Sequence, residues 1–414
     1  MAKRRLKVLL FAEAVTLAHV ARPIALGRSL DPERYEPFIA CASRYAAFAA
    51  APGWPMLDLQ STPSEQFARA LAQGAPLYSL STLQAYVQAD LALIDAVRPD
   101  LVVGDFRLSL SVSARLAQVP YLAIANAYWS PYSNARFPLP VLPMTRFLPL
   151  PMAAALFAAF RPLAFALHCR PMNRLRALHG LAGLGNDLRR VYTDADHLLV
   201  PDIEALYPLA GPADRYTFVG PLSWSPQVPW PPALDLPAPD ARPTVYVTLG
   251  SSGPKQALAL VLEALDGLPL RVIASTAGAP NPSRVPTNAV LAAYLPGDRA
   301  AASAQLVVCN GGSLAVQQAL AAGVPVLGLA ANMDQFLNMA PIVASGAGRL
   351  LRTDRLSVAA VRQACKALLA GPAAKAAAAR LQPLLTLPQT PGEMFDAAVR
   401  RLPPSTGAGL AVPD

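Results

Sequence analysis

Short apolar runs alternate with Ala- and Leu-rich segments along most of the chain. The runs are continuously apolar, which is typical of parallel strands covered by helices on both faces. A repeated order of strand, helix and strand predicts doubly wound α/β sheets. The predicted strands are 6–12, 35–41, 100–105, 121–125 and 197–200 in the first half, and 244–249, 270–275, 289–292, 305–309 and 325–329 in the second.

A proline-rich segment without a helical period separates the two halves. Such a segment is extended and semi-rigid, which favours a connector between domains. We therefore expect an N-terminal domain at 1–222, a linker at 223–242 and a C-terminal domain at 243–414. Ligands of open α/β sheets bind outside the carboxyl ends of the strands, so the candidate residues are those that follow strands.

Composition narrows the classes of protein. Of the 414 residues, 54% are hydrophobic and 15% are charged, which excludes a disordered chain. The net charge of +9 is compatible with nucleic acid, an anionic membrane or a phosphorylated small molecule as partner. Nucleic acid is disfavoured because the basic residues are not clustered with aromatic ones. The four cysteines are far apart and form no metal-ligand motif or compact disulfide framework.

Two apolar segments resemble membrane or targeting signals. The N-terminal run has only about eight apolar residues before Glu13, so a first strand explains it better than a signal peptide does. The run 147–160 holds two prolines and is shorter than the roughly 20 residues of a transmembrane helix. We therefore expect a soluble cytoplasmic protein. The region 138–190 is apolar and broken by prolines, which favours short helices packed on the first domain. It also carries Arg but no acid before Asp187; an apolar acceptor wall and a peripheral membrane contact are the alternatives.

Three strand-end loops of the second half carry candidate ligand-binding residues. The run 306–309 leads into two glycines and then a helical pattern; glycines, free N–H groups and the helix dipole favour a phosphate there. The next strand leads to a loop with a carboxylate and amides that could hold several hydroxyls. Strand 244–249 also ends in small hydroxyl residues. A nucleotide sugar matches such a pocket. The residues are Asn310, Gly311, Gly312 and Ser313, then Asp334 and Gln335, and then Ser251 and Ser252.

The motifs V-T-L-G-S, N-G-G-S…A-L-A-A-G-V-P-V and D-Q follow one another in the order and spacing of a known family. Through them the chain resembles the family 1 glycosyltransferases of GT-B fold, over essentially its whole length. The resemblance implies two Rossmann-like domains facing a central cleft, the first for the acceptor and the second for the donor. It also implies an inverting, metal-independent transferase without a cofactor, whose UDP- or TDP-sugar is a co-substrate and whose acceptor is a small, partly apolar molecule with a hydroxyl.

The resemblance assigns roles to the second-half residues. It places the donor diphosphate on 310–313, assisted by Ser251 or Ser252, and the sugar hydroxyls on Asp334 and Gln335. The nucleobase would lie near 293–297, against main-chain groups of Leu295. Three positions depart from the family pattern and put the nucleotide identity in question: Asn310 replaces a His, Ala315 replaces a Ser or Thr, and Gln318 replaces the acid that binds the ribose.

In the first half, His19 follows the first predicted strand, in a loop before a helix. Its position alone is compatible with a structural or a catalytic role. The resemblance implies the general base, although Ala18 stands where the family has Gly and Pro23 comes one residue late. A neutral imidazole suits proton abstraction near neutral pH. Asp105 ends a strand at the same sheet edge and either caps a helix or orients His19.

Other candidates are weaker. Glu13 could contact the acceptor, the Asp-Ala-Asp of 194–196 is read as a turn, and the remaining histidines, His168, His179 and His197, are read as structural. Two further functions stay open: a non-catalytic GT-B relative that binds a nucleotide sugar or supports a partner, and a sugar-nucleotide epimerase on the same scaffold.

Overall fold

The computed structural model describes residues 4–49, 53–234, 242–250 and 255–402. These residues divide into two compact units, each built on one parallel sheet. The first unit comprises the described residues of Met1–Asn134, Ala155–Leu222 and Leu387–Asp414, and the second those of Ala135–Ala154 and Ser223–Thr386.

The first unit has a seven-stranded sheet in the order β3-β2-β1-β4-β5-β6-β7. The chain adds strands outward from β1 to β3 and then crosses back to β4. The last residues of β1 and β4, Ala12 and Asp105, are register partners, so the loops that follow them meet where the strand order reverses. The strands are β1 Leu6–Ala12, β2 Tyr35–Cys41, β3 Met56–Asp58, β4 Leu101–Asp105, β5 Tyr121–Ile124, β6 His197–Val200 and β7 Tyr216–Phe218; the helices are α1 Ala18–Ser29, α2 Ala46–Ala49, α3 Ser64–Gln73, α4 Leu80–Val97, α5 Leu110–Leu116, α6 Leu150–Leu178 and α7 Leu188–Tyr192.

The second unit repeats this plan with six strands in the order β10-β9-β8-β11-β12-β13. Thr248 of β8 and Cys309 of β11 are register partners, which places the reversal point between their loops. The strands are β8 Thr244–Thr248, β9 Arg271–Ser275, β10 Ala289–Ala292, β11 Leu306–Cys309, β12 Val326–Ala330 and β13 Gly348–Arg352; the helices are α8 Lys255–Leu265, α9 Gly297–Ala302, α10 Ser313–Ala321, α11 Met333–Ala344, α12 Val358–Ala370 and α13 Pro372–Leu381.

The ten predicted strands are present, each within about one residue of its predicted ends, and the doubly wound parallel architecture is confirmed. Three strands were missed: β3, β7 and β13. Each lies at the edge of its sheet and is partly exposed. An edge strand has only one neighbour, so it does not need the continuous apolar run that revealed the others.

The C-terminal helix belongs to a different unit from the one that the predicted domain division gave it. Helix α14, Pro391–Val399, belongs to the first unit, whereas the prediction gave all of 243–414 to the second domain. Phe395 is buried in the core of the first unit and meets the ring of Tyr35 edge-on at 5.4 Å. Asp396 accepts a hydrogen bond from the Tyr35 hydroxyl and pairs with Arg34. Apolar burial and this charged contact hold the helix on the first sheet.

The described part of the predicted linker is also packed rather than free. Residues 223–234 belong to the second unit, where Trp224 and Leu234 are buried. The side-chain amide of Gln318 donates to the Trp224 carbonyl at 2.9 Å. Residues 235–241 of the predicted linker lie outside the described residues.

The region 138–190 corrects another expectation. Instead of several short helices it contains the 29-residue α6, which runs through Pro162 and Pro171. Each proline removes one N–H donor, but α6 is largely exposed, so water can bond to the carbonyls that lose their partners. By length and composition α6 could cross a membrane. The sequence pattern did not indicate this, because charged residues interrupt the apolar run within the helix.

Candidate functional site

His19 and Asp105 meet at the reversal point of the first sheet. His19 lies in the first turn of α1, not in the loop before it as predicted, and Asp105 is the last residue of β4. Nδ1 of His19 is 2.7 Å from Oδ1 of Asp105. Nη2 of Arg22 also lies 3.0 Å from Nδ1. With a proton on Nδ1 the carboxylate accepts it, and the Nε2 lone pair is then the basic atom. The Asp105 side chain is fully buried and that of His19 is 19% exposed, so the imidazole reaches solvent.

The alternative role of Asp105 as a helix cap is wrong. The next helix, α5, begins at Leu110, and Ser109 precedes it. The main chain between them turns sharply, since Phe106 has a φ of +58°. A bulky residue in this left-handed region costs on the order of 1–3 kcal/mol. The turn directs Asp105 and Arg107 into two different networks.

Arg22 holds the carboxylate of Asp105, and the sequence pattern did not reveal it. Its Nε donates to Oδ2 at 2.6 Å and its Nη2 to Oδ1 at 2.6 Å. Such a two-pronged ion pair fixes both position and orientation. The available signal was spacing, because Arg22 follows His19 by three residues on one helix and so shares its face.

Two further polar residues extend this network along the sheet edge. Asn126 follows β5 and Asp202 follows β6, each two residues after the strand ends. Arg22 donates to the Asn126 oxygen at 2.7 Å, and the Asn126 amide donates to Asp202 at 2.8 Å. Successive parallel strands thus each contribute one polar side chain. The rule that identified Asp105 as a candidate, that functional residues lie at the ends of strands, also applies to these two residues.

Aromatic rings lie beside His19. The Phe106 ring stacks on the imidazole, with ring centres 4.9 Å apart and planes 16° apart. Tyr192 meets Phe106 edge-on at 5.2 Å, and Trp129 meets Tyr192 at 5.0 Å. The imidazole is therefore positioned by a carboxylate on one side and by an aromatic cluster on the other.

Glu13 belongs to a second buried network and not to a substrate surface. Arg107 is fully buried; it donates to Glu13 at 2.7 Å and to Asp90 at 2.9 Å, and its guanidinium lies 3.6 Å from the ring centre of Tyr86. The interpretation of Glu13 as an acceptor contact is wrong, because its carboxylate is fully buried and paired. Because Arg107 directly follows Phe106, this network fixes the chain where it leaves the turn.

The glycine loop lies at the reversal point of the second sheet. Gly311 has a φ of +81°, and a Cβ there would lie 2.9 Å from Met339, so the position requires glycine. Gly312 precedes the first residue of α10, and its N–H donates to the Asn310 side chain at 3.0 Å. Asn338 of α11 donates to the Gly311 carbonyl at 2.8 Å. The loop is thus held from both sides, with a helix N-terminus at its end.

Asp334 and Gln335 begin α11, but they have different surroundings. Gln335 is 2% exposed. Its side-chain oxygen accepts from the backbone of Ala331 at 2.8 Å and forms a capping box with Asn332, which stabilises the loop. Asp334 is half-buried in the first turn. Of the pair, Asp334 is the more exposed residue.

The remaining predicted donor residues are spread around the same unit. Gln318 is buried and its amide nitrogen is engaged by Trp224 and Ser225. The Leu295 side chain is 3% exposed, so only its main chain could face a base. Ser313 is the first residue of α10. Ser251 and Ser252 lie outside the described residues.

Several titratable groups have structural surroundings. Burial lowers the pKa of His197 to about 4, and both ring nitrogens are hydrogen-bonded, to Asp214 and Thr217. Burial raises the pKa of Cys309, which precedes Asn310, to about 12, so it is a neutral thiol. Asp194 pairs with two arginines. Within the described residues, no group of three or more His, Cys, Asp or Glu side chains could hold a metal ion.

Comparison with known proteins adds relatives that span most of the chain. The family described as "Erythromycin biosynthesis protein CIII-like, C-terminal domain" matches residues 259–399. A "PGL/p-HBAD biosynthesis glycosyltransferase" of Mycobacterium tuberculosis is 50% identical over 91% of this chain and 88% of its own length. A "PGL/p-HBAD biosynthesis rhamnosyltransferase" of Mycobacterium bovis is 50% identical over 92% of this chain and 84% of its own. A third relative, from M. bovis, is named an "Inactive PGL/p-HBAD biosynthesis glycosyltransferase". It is 48% identical over 63% of this chain and 71% of its own length.

Solved structures share the fold at low sequence identity. The spinosyn forosaminyltransferase SpnP matches with a TM-score of 0.69 at 17% identity, over 96% of this chain and all of that one. The spinosyn rhamnosyltransferase SpnG, solved with thymidine diphosphate, matches with a TM-score of 0.68 at 18% identity, over 95% of this chain and 99% of that one. These likenesses show a common architecture.

Proposed function

The chain belongs to the family 1 glycosyltransferases of GT-B fold, and on this premise we propose an inverting transfer from a UDP- or TDP-sugar to a hydroxyl of a small, partly apolar acceptor. The general class, a nucleotide-sugar-dependent glycosyltransferase, rests on relatives that are 50% identical over most of the chain. The observation that carries the finer proposal is the 2.7 Å contact between His19 and Asp105.

His19 acts as the general base in this proposal. Its Nε2 takes the proton of the acceptor hydroxyl while Asp105 holds Nδ1 and stabilises the imidazolium that forms. The acceptor oxygen forms a bond to the anomeric carbon as the bond from that carbon to the phosphate oxygen breaks. The nucleoside diphosphate leaves with the electron pair. One displacement of this kind inverts the anomeric configuration.

The donor diphosphate is proposed to bind at the glycine loop of the second unit. The N-terminus of α10 favours negative charge there. The N–H groups of Gly311 and Gly312 donate to the Cys309 sulfur and the Asn310 side chain in this structure, so a bound phosphate would take these donors over. Asn310 supplies a neutral amide where the family has a histidine, so the loop itself carries no positive charge. We assign Asp334 to the sugar hydroxyls, whereas Gln335 acts mainly by holding the loop. Transfer without a metal ion stays a prediction, as does the cytoplasmic location.

The aromatic cluster beside His19 supports the expectation of a partly apolar acceptor. Phe106, Tyr192 and Trp129 offer ring faces and edges within one cluster, and such surfaces bind flat apolar groups through burial and edge-to-face contact. The backbone strain at Phe106 is typical of functional sites. The proposal therefore puts the ring or chain that bears the acceptor hydroxyl against Phe106.

Two rivals remain testable. The inactive relative and the engaged amide of Gln318 motivate a binding protein without activity, and the shared scaffold motivates an epimerase. The purified chain is incubated with UDP- and TDP-sugars, with and without aryl and alkyl alcohols, and the products are analysed by mass spectrometry and NMR. An acceptor glycoside with inverted configuration supports the transferase. A reaction that gives neither released nucleotide nor product supports the binding protein. An altered sugar that is still joined to its nucleotide supports the epimerase.

A further inference from the structure

Helix α6 carries an exposed apolar stripe that continues into basic residues. In the part that belongs to the first unit, Leu156, Phe160, Leu163 and Leu167 are 39%, 61%, 56% and 39% exposed. Their spacing of four, three and four residues puts them on one helix face, within an arc of about 60°. Arg170 and Arg174 extend the same face and are exposed. We call these six residues the α6 stripe, and we propose that it docks on a membrane surface that contains anionic lipids.

The opposite side of α6 shows that the helix lies along such a surface and does not cross it. Cys169, Met172 and Leu175 are buried in a core cluster of the first unit, and Arg176 pairs with Asp194. A spanning orientation would pull these side chains out of the core. An interfacial helix needs only one apolar face at the boundary between headgroups and acyl chains, with basic residues beside it.

The charge of the surrounding sequence favours an anionic lipid surface over a second copy of the chain. No Asp or Glu occurs between Asp105 and Asp187. A symmetric pairing of two α6 stripes would place the arginines in the interface without an acid on either helix to pair with them. An anionic membrane attracts such residues.

The test is flotation of the full chain with vesicles of phosphatidylcholine alone and of phosphatidylcholine mixed with phosphatidylglycerol. We expect binding to the mixed vesicles that weakens with added salt, and little binding to the neutral ones. Phe160→Ser with Leu163→Ser should lower the partition coefficient at least about tenfold, because the inserted apolar area is lost. Arg170→Gln with Arg174→Gln should lower it about tenfold on the mixed vesicles only.

Matched controls separate the stripe from general surface effects. Leu384→Ser removes an apolar residue of the second unit that is 38% exposed, and Arg69→Gln removes an exposed arginine of α3; both should bind vesicles like the parent. Thermal melting of every variant monitors folding.

Absence of binding, equal binding to both vesicle types, or unchanged binding by the Phe160–Leu163 variant would overturn the proposal. So would a dimer in sedimentation velocity that the same variant dissociates, since the stripe would then be covered by a second copy. The vesicle assay uses neither donor nor acceptor, so its outcome is independent of the transferase proposal.

Discussion

The two sheets reverse their strand order in the same way but carry different chemistry at the reversal point. In the first unit, the side chains of His19, Asp105 and Arg22 pair with one another where β1 and β4 end. In the second unit, the loops after β8 and β11 hold glycines and the neutral Asn310. Gly250 lies against Asn310 there, because a Cβ on it would be 3.3 Å from the Asn310 amide.

This difference teaches that one backbone plan supports two kinds of recognition. Buried ion pairs fix the direction of a side chain, which an oriented base requires. Backbone N–H groups and a helix N-terminus attract an anion without a specific side chain. The first reversal point therefore depends on side-chain identity, and the second depends on backbone conformation. Substitutions at the two points should have correspondingly different effects.

The largest combined effect on rate and stability is expected at Asp105. Asp105→Asn should lower the rate of transfer on the order of 10³-fold, because the imidazole loses the carboxylate that orients it. It should also lower the free energy of unfolding by about 3–5 kcal/mol, since the buried Arg22 loses the carboxylate with which it pairs. Steady-state kinetics and denaturant unfolding measure the two effects. Asp194→Asn, which disrupts another arginine pair of the same unit, should cost stability but leave the rate intact; a similar loss of rate there would remove the special role of Asp105.

Asp334 probes the second unit through its side chain. Asp334→Ala should weaken binding of the nucleotide sugar roughly 10- to 100-fold, because a charge-assisted hydrogen bond to the sugar is lost, while binding of the bare nucleotide barely changes. Isothermal titration calorimetry with both ligands makes the measurement. Asp266→Ala, at an ion pair with the exposed Arg284 of the same unit, serves as control. Equal losses for both ligands would mean that the sugar site lies elsewhere.

Gly311 probes the second unit through its backbone. Gly311→Ala should lower the free energy of unfolding by about 1–2 kcal/mol from the left-handed conformation alone, with a further cost from the contact with Met339. Donor binding should fall with it, because the N–H groups shift. Gly180→Ala isolates the conformational cost, since Gly180 also has a positive φ but no atom within 4 Å of the added Cβ. Unchanged donor binding in Gly311→Ala would argue against the loop as the diphosphate site.

The smallest effect at neutral pH is expected at His197, a histidine of the same unit as His19 that is buried instead of solvent-reaching. Its pKa of about 4 lies below the unfolded value of about 6.5, so the unfolded state takes up the proton first. The stability contributed by neutral His197 is complete above pH 6.5 and is lost as pH falls toward 4, by about 1 kcal/mol per pH unit. The difference in the free energy of unfolding between the parent and His197→Gln should therefore become smaller as the pH falls. A gap independent of pH in denaturant unfolding would contradict this.

The sequence predicted the buried strands and the residues at their ends, because burial on both faces leaves a continuous apolar run and the parallel order brings the strand ends together. The strand pattern therefore sufficed to place His19 near Asp105. It did not predict Arg22 as a partner of Asp105, since an arginine on an apolar helix gives no sign of what it pairs with. It also missed the return of Phe395 to the first sheet, which depends on packing between distant parts of the chain. Gln335 was assigned to a ligand, while in the structure its side-chain oxygen takes part in a capping box. The backbone of the loop thus competes with a ligand for this oxygen, and a sequence motif does not show such competition.

The most direct test of the account compares transfer and donor binding in His19→Ala. If the first unit supplies the base and the second binds the donor, the rate of transfer should fall on the order of 10³-fold or more, while the dissociation constant for the nucleotide sugar stays within about threefold of the parent value. His179→Ala, a partly exposed histidine outside the site, should change neither. Transfer at the parent rate by His19→Ala would contradict the account.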